Sequence, residues 1–113
     1  MLLIDKEFHK GILFVRLKGS LTKDMIATLN KEVTKMVADM EIRNVVFNIN
    51  DITEIDITGV NAILYNYNLC RDNNGISMLC GGNTKIKDYI NHSSISSMFQ
   101  IKDEMSAMKM IEI

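Results

Sequence analysis

The spacing of hydrophobic residues changes several times along this 113-residue chain. Short apolar runs, which are typical of strands, alternate with segments in which apolar residues recur every three or four positions, which is typical of helices. Two β-rich runs, Leu2 to His9 and Ile12 to Lys18, are separated by Lys10-Gly11, which predicts a hairpin. Thr22 follows as a candidate N-cap. Apolar residues then recur at helical spacing, at Ile26, Leu29, Val33, Met36, Val37 and Met40.

The second half of the chain alternates in the same way. The run from Asn44 to Asn50 is rich in β-branched and aromatic residues, which suits a buried parallel strand. Helical spacing begins at Thr58 and ends at Asn73-Asn74-Gly75. The remaining predicted elements are a strand at 76 to 80, a short helix capped by Thr84 and reaching Ile90, a strand at 98 to 101, and a terminal helix capped by Asp103.

The order β-β-α-β-α-β-α-β-α predicts an α/β fold, because strands that alternate with helices pair in parallel through right-handed crossovers. We expect one domain over residues 1–113, with a mixed, mostly parallel sheet, an N-terminal β-hairpin and about four helices. Open α/β sheets place their function in loops at the carboxyl ends of the strands. Residues 50 to 58 are predicted to form one of these loops.

Composition narrows the classes of function. The net charge of -1 provides no basic field for nucleic acid, so we expect no nucleic-acid partner. No run approaches 18 apolar residues, and charges appear by the fifth residue, so we expect neither membrane insertion nor a secretory signal. Only two cysteines are present, which favours a cytoplasmic location.

The polar residues from 51 to 58 admit two interpretations of Thr58. As the last polar residue before a helical stripe, it would most simply cap that helix. Alternatively, its hydroxyl accepts a phosphoryl group, which the free N–H groups of a helix start tolerate well. Asp51, Glu54 and Asp56 stand close in the sequence, so the added charge would change this surface sharply while leaving the fold intact.

Two residues near Thr58, Gly59 and Asp56, each have two possible roles. Gly59 either lets another protein's backbone approach closely or only makes the loop flexible. Asp56 either orients an attacking hydroxyl or helps to cap the helix, and the sequence alone does not choose between these roles.

Other candidate chemistries are weaker. Asp51 ends the predicted strand as a response-regulator phospho-acceptor would, but no acidic pair follows the early strands to hold Mg²⁺. His9 and His92 lie far apart, and no His/Cys spacing matches a metal site. Gly81-Gly82-Asn83 lacks phosphate-loop spacing and is interpreted as a turn. Cys70 and Cys80 fall in or near apolar runs, where a small core residue is favoured over a nucleophile.

The run "FNINDITEIDITGVNAIL" resembles the signature of STAS domains, specifically of bacterial anti-sigma factor antagonists. That family shows an apolar strand, a polar loop, and then Asp-Ser-Ser/Thr-Gly before an apolar helix, which reads here Asp56-Ile57-Thr58-Gly59-Val60. "FVRLKGSLT", "GISMLCGGNTKIKDYI" and "SMFQIKDEMSAM" are similar to further elements of the family, so the resemblance covers nearly the whole chain. Ile57 stands in place of the usual first Ser.

The resemblance implies a regulator that is not an enzyme. An antagonist of this type binds an anti-sigma factor that is also a serine/threonine kinase, frees the sigma factor, and is released when the kinase phosphorylates the position of Thr58; a phosphatase resets the cycle. ATP and Mg²⁺ belong to the kinase, so no cofactor or metal is expected in this chain. The implied partner-binding residues are Asp51, Glu54, Asp56, Ile57, Thr58, Gly59 and Asn61.

Three alternatives stay open at this point. The chain is a STAS scaffold or transporter-associated module that acts without phosphorylation, a component of a stress-signalling complex, or a small enzyme that uses Cys70 or Cys80.

Overall fold

A five-stranded mixed sheet forms the centre of the computed structural model, which describes residues 1–111. The strands are β1 (Leu2–His9), β2 (Ile12–Leu21), β3 (Asn44–Ile55), β4 (Ile76–Cys80) and β5 (Phe99–Ile101). They lie side by side in the order β1-β2-β3-β4-β5, with β1 antiparallel to β2 and every later pair parallel. The predicted α/β architecture with an N-terminal hairpin is therefore confirmed.

Within residues 1–111, four helical segments connect and follow the strands. The first, α1, consists of a 3-10 turn (Lys23–Met25), an α-helical turn (Ile26–Leu29), a π turn (Asn30–Thr34) and a final α-helical turn (Lys35–Asp39). The others are α2 (Ile57–Asp72), α3 (Thr84–Asn91) and α4 (Glu104–Met110). None of the helices in residues 1–111 has both the length and the apolar character that crossing a bilayer requires.

The sheet buries apolar side chains on both faces because successive residues of a strand point to opposite sides. Leu13 and Val15 of β2 join the larger core, to which α1, α2 and α3 contribute buried residues such as Leu29, Val60 and Ile86. The alternate residues of the strands form a smaller core on the other face, where α4 contributes Ala107; its buried members are Ile12, Phe14, Val46, Met78, Cys80 and Ala107.

The predicted loop at 50 to 58 is wrong, because β3 continues to Ile55 and only Asp56 separates it from α2. β2 likewise continues three residues past the predicted end at Lys18, and its last residues pair with the second half of β3 after two register shifts. Backbone ladder bonds do not depend on side-chain polarity, so exposed Asp51 and Glu54 are accommodated. Ile52 between them is buried and holds the register of the extension.

Helix caps differ from the predictions in two places. Asn83, not Thr84, caps α3, since its Oδ1 accepts from the Ile86 N–H at 2.9 Å. Thr22 occupies the cap position of α1 but its side chain makes no cap hydrogen bond. The cap at Asp103 is confirmed, with Oδ1 2.9 Å from Ser106 N. The two glycines that precede Asn83 have φ of 83° and 100°, which confirms the turn.

Candidate functional site

Asp56 is the N-cap of α2. Its backbone is extended, with φ -125° and ψ -178°, and its Oδ1 accepts a hydrogen bond from Gly59 N at 2.9 Å. Thr58 is the second residue inside the helix, so the prediction that Thr58 caps α2 is wrong. An Asp in extended conformation reaches the free N–H groups of the first turn directly, which leaves the Thr58 hydroxyl without a capping role.

The same carboxylate also binds the start of α1. Asp56 Oδ2 accepts from the backbone N–H of Lys23 at 2.9 Å, where the Thr22 side chain makes no cap bond. The pKa of Asp56 is lowered, first by the hydrogen bond from the Thr58 hydroxyl and then by the backbone N–H groups of Gly59 and Lys23, against the opposing effect of burial. A single charged side chain therefore holds the N-terminal turns of two helices together.

The Thr58 hydroxyl donates to Asp56 Oδ1 at 2.5 Å. The Thr58 side chain is half-buried and lies on an open groove of about 590 Å³ between α1 and α2. The groove is lined from α1 by Ile26, Asn30, Thr34, Lys35 and Ala38, and from α2 by Thr58, Asn61, Ala62 and Tyr65. The hydroxyl is therefore oriented by a carboxylate and lies beside a surface that another protein can contact.

A buried polar chain under the groove was missed by the sequence analysis. Asn66 of α2 is fully buried, and its Nδ2 donates to Ala62 O at 2.9 Å and to Thr34 Oγ1 at 3.0 Å. Thr34 in turn donates to Asn30 Oδ1 at 3.3 Å, within the π turn of α1. The polar Asn66 among apolar positions of the helical stripe was the available signal. These hydrogen bonds link α2 to α1 and so help to set the spacing of the two groove walls.

Gly59 is buried and faces the end of β2. A β-carbon at this position would lie 2.1 Å from Leu21 O and 2.9 Å from Leu21 Cγ. The absence of a β-carbon at Gly59 is therefore already required by a close approach within the chain, to the backbone of Leu21. The absence of a side chain at this position lets the first turn of α2 rest on the end of β2.

The predicted site residues are divided among three surfaces. Thr58 and Asn61 lie on the groove. Ile57, with 55% of its surface exposed, borders a depression that Tyr89 of α3 also lines, and Glu54 borders an adjoining one.

Asp51 lies apart from the residues on these depressions and on the groove. It is exposed, lies opposite Lys18 in the parallel pairing of β2 with β3, and borders the surface formed by β1 and β2. Since β3 continues past Asp51, that residue does not end a strand, contrary to the sequence-based interpretation.

The geometry gives little support to a cysteine nucleophile. Cys70 and Cys80 are both buried free thiols. Burial raises the pKa of Cys70 to about 12 and, with the nearby Glu104 and Asp103 carboxylates, that of Cys80 to about 11. Both side chains are therefore protonated at neutral pH and are poor nucleophiles. No group of three His, Cys, Asp or Glu side chains suited to a metal ion occurs within residues 1–111.

Comparison with known proteins gives consistent matches over nearly the whole chain. The family model for the STAS domain matches residues 4–108. The anti-sigma F factor antagonist of Paenibacillus polymyxa is 24% identical over 111 residues, which cover 97% of this chain and 95% of that protein.

Solved structures show the same fold. An anti-sigma factor antagonist from Mycobacterium paratuberculosis has a TM-score of 0.85 at 13% identity, with 98% of this chain and 94% of that chain covered. The Bacillus cell fate determinant SpoIIAA in its phosphorylated form has a TM-score of 0.75 at 14% identity, with 96% of this chain and 100% of that chain covered.

Proposed function

Because this chain belongs to the STAS domain family, we propose that it is an anti-sigma factor antagonist whose partner binding is switched by phosphorylation of Thr58. In this proposal it acts in the cytoplasm as a regulator and not as an enzyme. It sequesters an anti-sigma factor that is also a serine/threonine kinase and thereby frees a sigma factor. A phosphatase restores the binding form.

The single observation that carries the proposal is the position of the Thr58 hydroxyl. The Thr58 side chain lies in the first turn of α2 and lines an open groove, and the hydrogen bond from its hydroxyl to Asp56 is part of no backbone cap. Replacing the hydroxyl proton with a phosphoryl group therefore leaves both bonds from Asp56 to backbone N–H groups available. The fold is expected to persist while the surface changes.

The change of surface charge supplies the switch. A phosphothreonine at position 58 adds about -1.5 to -2 charges at neutral pH. The helix N-terminus favours an anion, whereas the adjacent Asp56 carboxylate opposes one. A partner that fits the groove before phosphorylation would then have to bury this charge or accept its repulsion, and burying an unpaired charge is costly.

The proposed partner surface contains the groove end at Thr58 and Asn61 and the exposed side chain of Ile57. Glu54 and Asp56 lie at its border and provide negative charge, and Gly59 supports it from below by seating α2 on β2. Asp51 lies on the surface formed by β1 and β2, away from the groove. We propose that it contacts the partner where the partner extends beyond the groove to that surface.

Binding of Thr58 variants to the anti-sigma factor kinase of the same organism tests this proposal. Thr58→Ala should stay bound when ATP is present, because alanine has no hydroxyl to accept a phosphoryl group. Thr58→Asp should bind poorly, and its melting temperature should be close to that of the wild type. Thr84→Asp is the matched control, since it places the same charge in the first turn of α3 at an exposed position. Wild-type binding by Thr58→Asp, or loss of its fold, would contradict the proposal.

A scaffold that acts without phosphorylation is the second candidate. It is favoured by the exposed apolar side chains of Ile57 and Tyr89, which border one depression and offer contact area independent of Thr58. Under this alternative, ATP and the kinase leave the chain unmodified, and Ile57→Ser weakens partner binding whether or not ATP is added.

A further inference from the structure

We propose that Asp56 positions the Thr58 hydroxyl as the attacking nucleophile and receives its proton during phosphoryl transfer. The inference rests on the proposed function and adds a role for a residue of the substrate protein itself. The sequence left open whether Asp56 orients a hydroxyl or caps a helix, and the geometry points to both roles for the same carboxylate.

The hydrogen bond between Thr58 and Asp56 has a defined direction. A threonine hydroxyl carries one proton and two lone pairs. In this structure the proton is donated to Asp56 Oδ1 at 2.5 Å, so the lone pairs of Oγ1 are directed away from the carboxylate. An oxygen in this orientation presents lone pairs, and not its proton, to an approaching phosphorus atom.

The Asp56 carboxylate is held in place by two further hydrogen bonds. Asp56 Oδ1 accepts from Gly59 N and Oδ2 accepts from Lys23 N, each at 2.9 Å. These two donors belong to different helices, so rotation of the carboxylate would break a backbone hydrogen bond at one helix start or the other. The acceptor for the Thr58 proton is therefore already in place before any kinase binds, and little reorganisation is needed during the reaction.

The proposed step balances with ATP, held by the kinase, as co-reactant. A bond forms between Thr58 Oγ1 and the γ-phosphorus, and the bond from that phosphorus to the oxygen it shares with the β-phosphorus breaks, releasing ADP. The Oγ1 proton passes to Asp56 and then to solvent. The hydrogen bond from Thr58 is the largest cause of the lowered pKa of Asp56, so the carboxylate becomes more basic as that hydroxyl is converted to an ester.

The chain contains a second aspartate that caps a helix and accepts a hydrogen bond from a side-chain hydroxyl. Asp103 caps α4, and its Oδ1 accepts from both the N–H and the hydroxyl of Ser106, at 2.9 and 2.8 Å. Substitutions at Asp103 therefore report the cost of losing a cap with a bound hydroxyl at a distant site. Effects seen only at Asp56 then reflect its bond from Thr58 or its bond from Lys23, which Asp103 has no counterpart for.

Steady-state phosphorylation of the full chain by the anti-sigma factor kinase of the same organism, with ATP, tests the inference. Asp56→Asn and Asp56→Ser both retain an N-cap side chain but lack the carboxylate. We expect kcat to fall by about a hundredfold in both variants, with a much smaller change in KM. Asp103→Asn should keep the wild-type kcat and KM.

The outcomes separate the two proposals. If the wild type is phosphorylated and both Asp56 variants keep its kcat, the inference is wrong and the proposed function stands. A rise in KM with unchanged kcat would assign Asp56 a structural role only and would also overturn the inference. If the kinase phosphorylates itself or another substrate but not the wild-type chain, the proposed function fails and the inference fails with it.

Discussion

Gly59 lies directly against the carbonyl group of Leu21, so closely that a β-carbon on Gly59 would stand 2.1 Å from that oxygen. The same oxygen accepts from Asp56 N at 3.4 Å. The end of β2 and the start of α2 are therefore in backbone contact on both sides of Thr58. This contact sets the position of the candidate phosphorylation site relative to the sheet.

Gly59→Ala is expected to destabilise the protein by about 1–3 kcal/mol or more, because backbone atoms at Leu21 cannot move aside as a flexible side chain would. Urea unfolding measures the change. Asn61→Ala, an exposed substitution in the same helix, is the control and should change stability by about 0.5 kcal/mol or less. Equal stability of the two variants would contradict the close contact.

Asp56→Ala should cost more than the loss of an ordinary helix cap. Asp56 binds backbone N–H groups at the starts of two helices, whereas Asn83 caps α3 alone. A single cap contributes about 0.5–2 kcal/mol, so we expect Asn83→Ala to lose about 1 kcal/mol and Asp56→Ala about twice as much. The comparison is made by thermal and urea unfolding. An equal loss in the two variants would show that the bond to Lys23 contributes nothing.

The contact between Glu104 and Arg16 predicts a loss of stability in acid. Two hydrogen bonds from the Arg16 guanidinium, at 2.7 and 2.9 Å, and one from Asn48, at 2.8 Å, lower the pKa of Glu104, with burial opposing. Its pKa in the folded state is therefore below the unfolded value of about 4.5. The stability it contributes is complete above that pH and is lost as the pH falls through the folded-state value.

The variant Glu104→Gln tests this pH dependence. It should be less stable than the wild type at neutral pH, because the charged hydrogen bonds to Arg16 are lost. The difference between the two proteins should narrow as the pH falls through the lowered folded-state pKa of Glu104, below which the wild-type carboxyl is protonated as well. Urea unfolding at several pH values measures it. A difference that is constant with pH would contradict the argument.

Much of the fold could be predicted because hydrophobic spacing reports local structure directly. The bounds of β1, the helical stripe of α2 and the cap at Asp103 all depend on neighbouring residues, and all were obtained correctly. The features that the sequence did not predict depend on contacts between segments that are distant in the sequence. β3 continues through polar Asp51 and Glu54 because β2 pairs with it, which the residues of β3 alone do not indicate.

The sequence proposes Thr58 as the phosphoryl acceptor, which stays a prediction, but it did not indicate how the site around Thr58 is built. Thr58 was identified from its place before a helical stripe and from the resemblance to a known signature. Whether Thr58 or Asp56 caps the helix depends on backbone angles at one residue, and two polar residues two positions apart give the same pattern. The bond from Asp56 to Lys23 joins residues 33 positions apart in the sequence and has no local signal.

The central claim is that Thr58 is the phosphorylation site that releases the partner. Its most direct test is site-resolved mass spectrometry of the wild type and Thr58→Ala after incubation with the anti-sigma factor kinase and ATP, with the bound and free fractions analysed separately. We predict one phosphoryl group on Thr58 of the wild type, found only in the free fraction, and an unmodified Thr58→Ala that stays bound. An unmodified wild type beside an active kinase, or a phosphoryl group on another residue in both proteins, would contradict the claim.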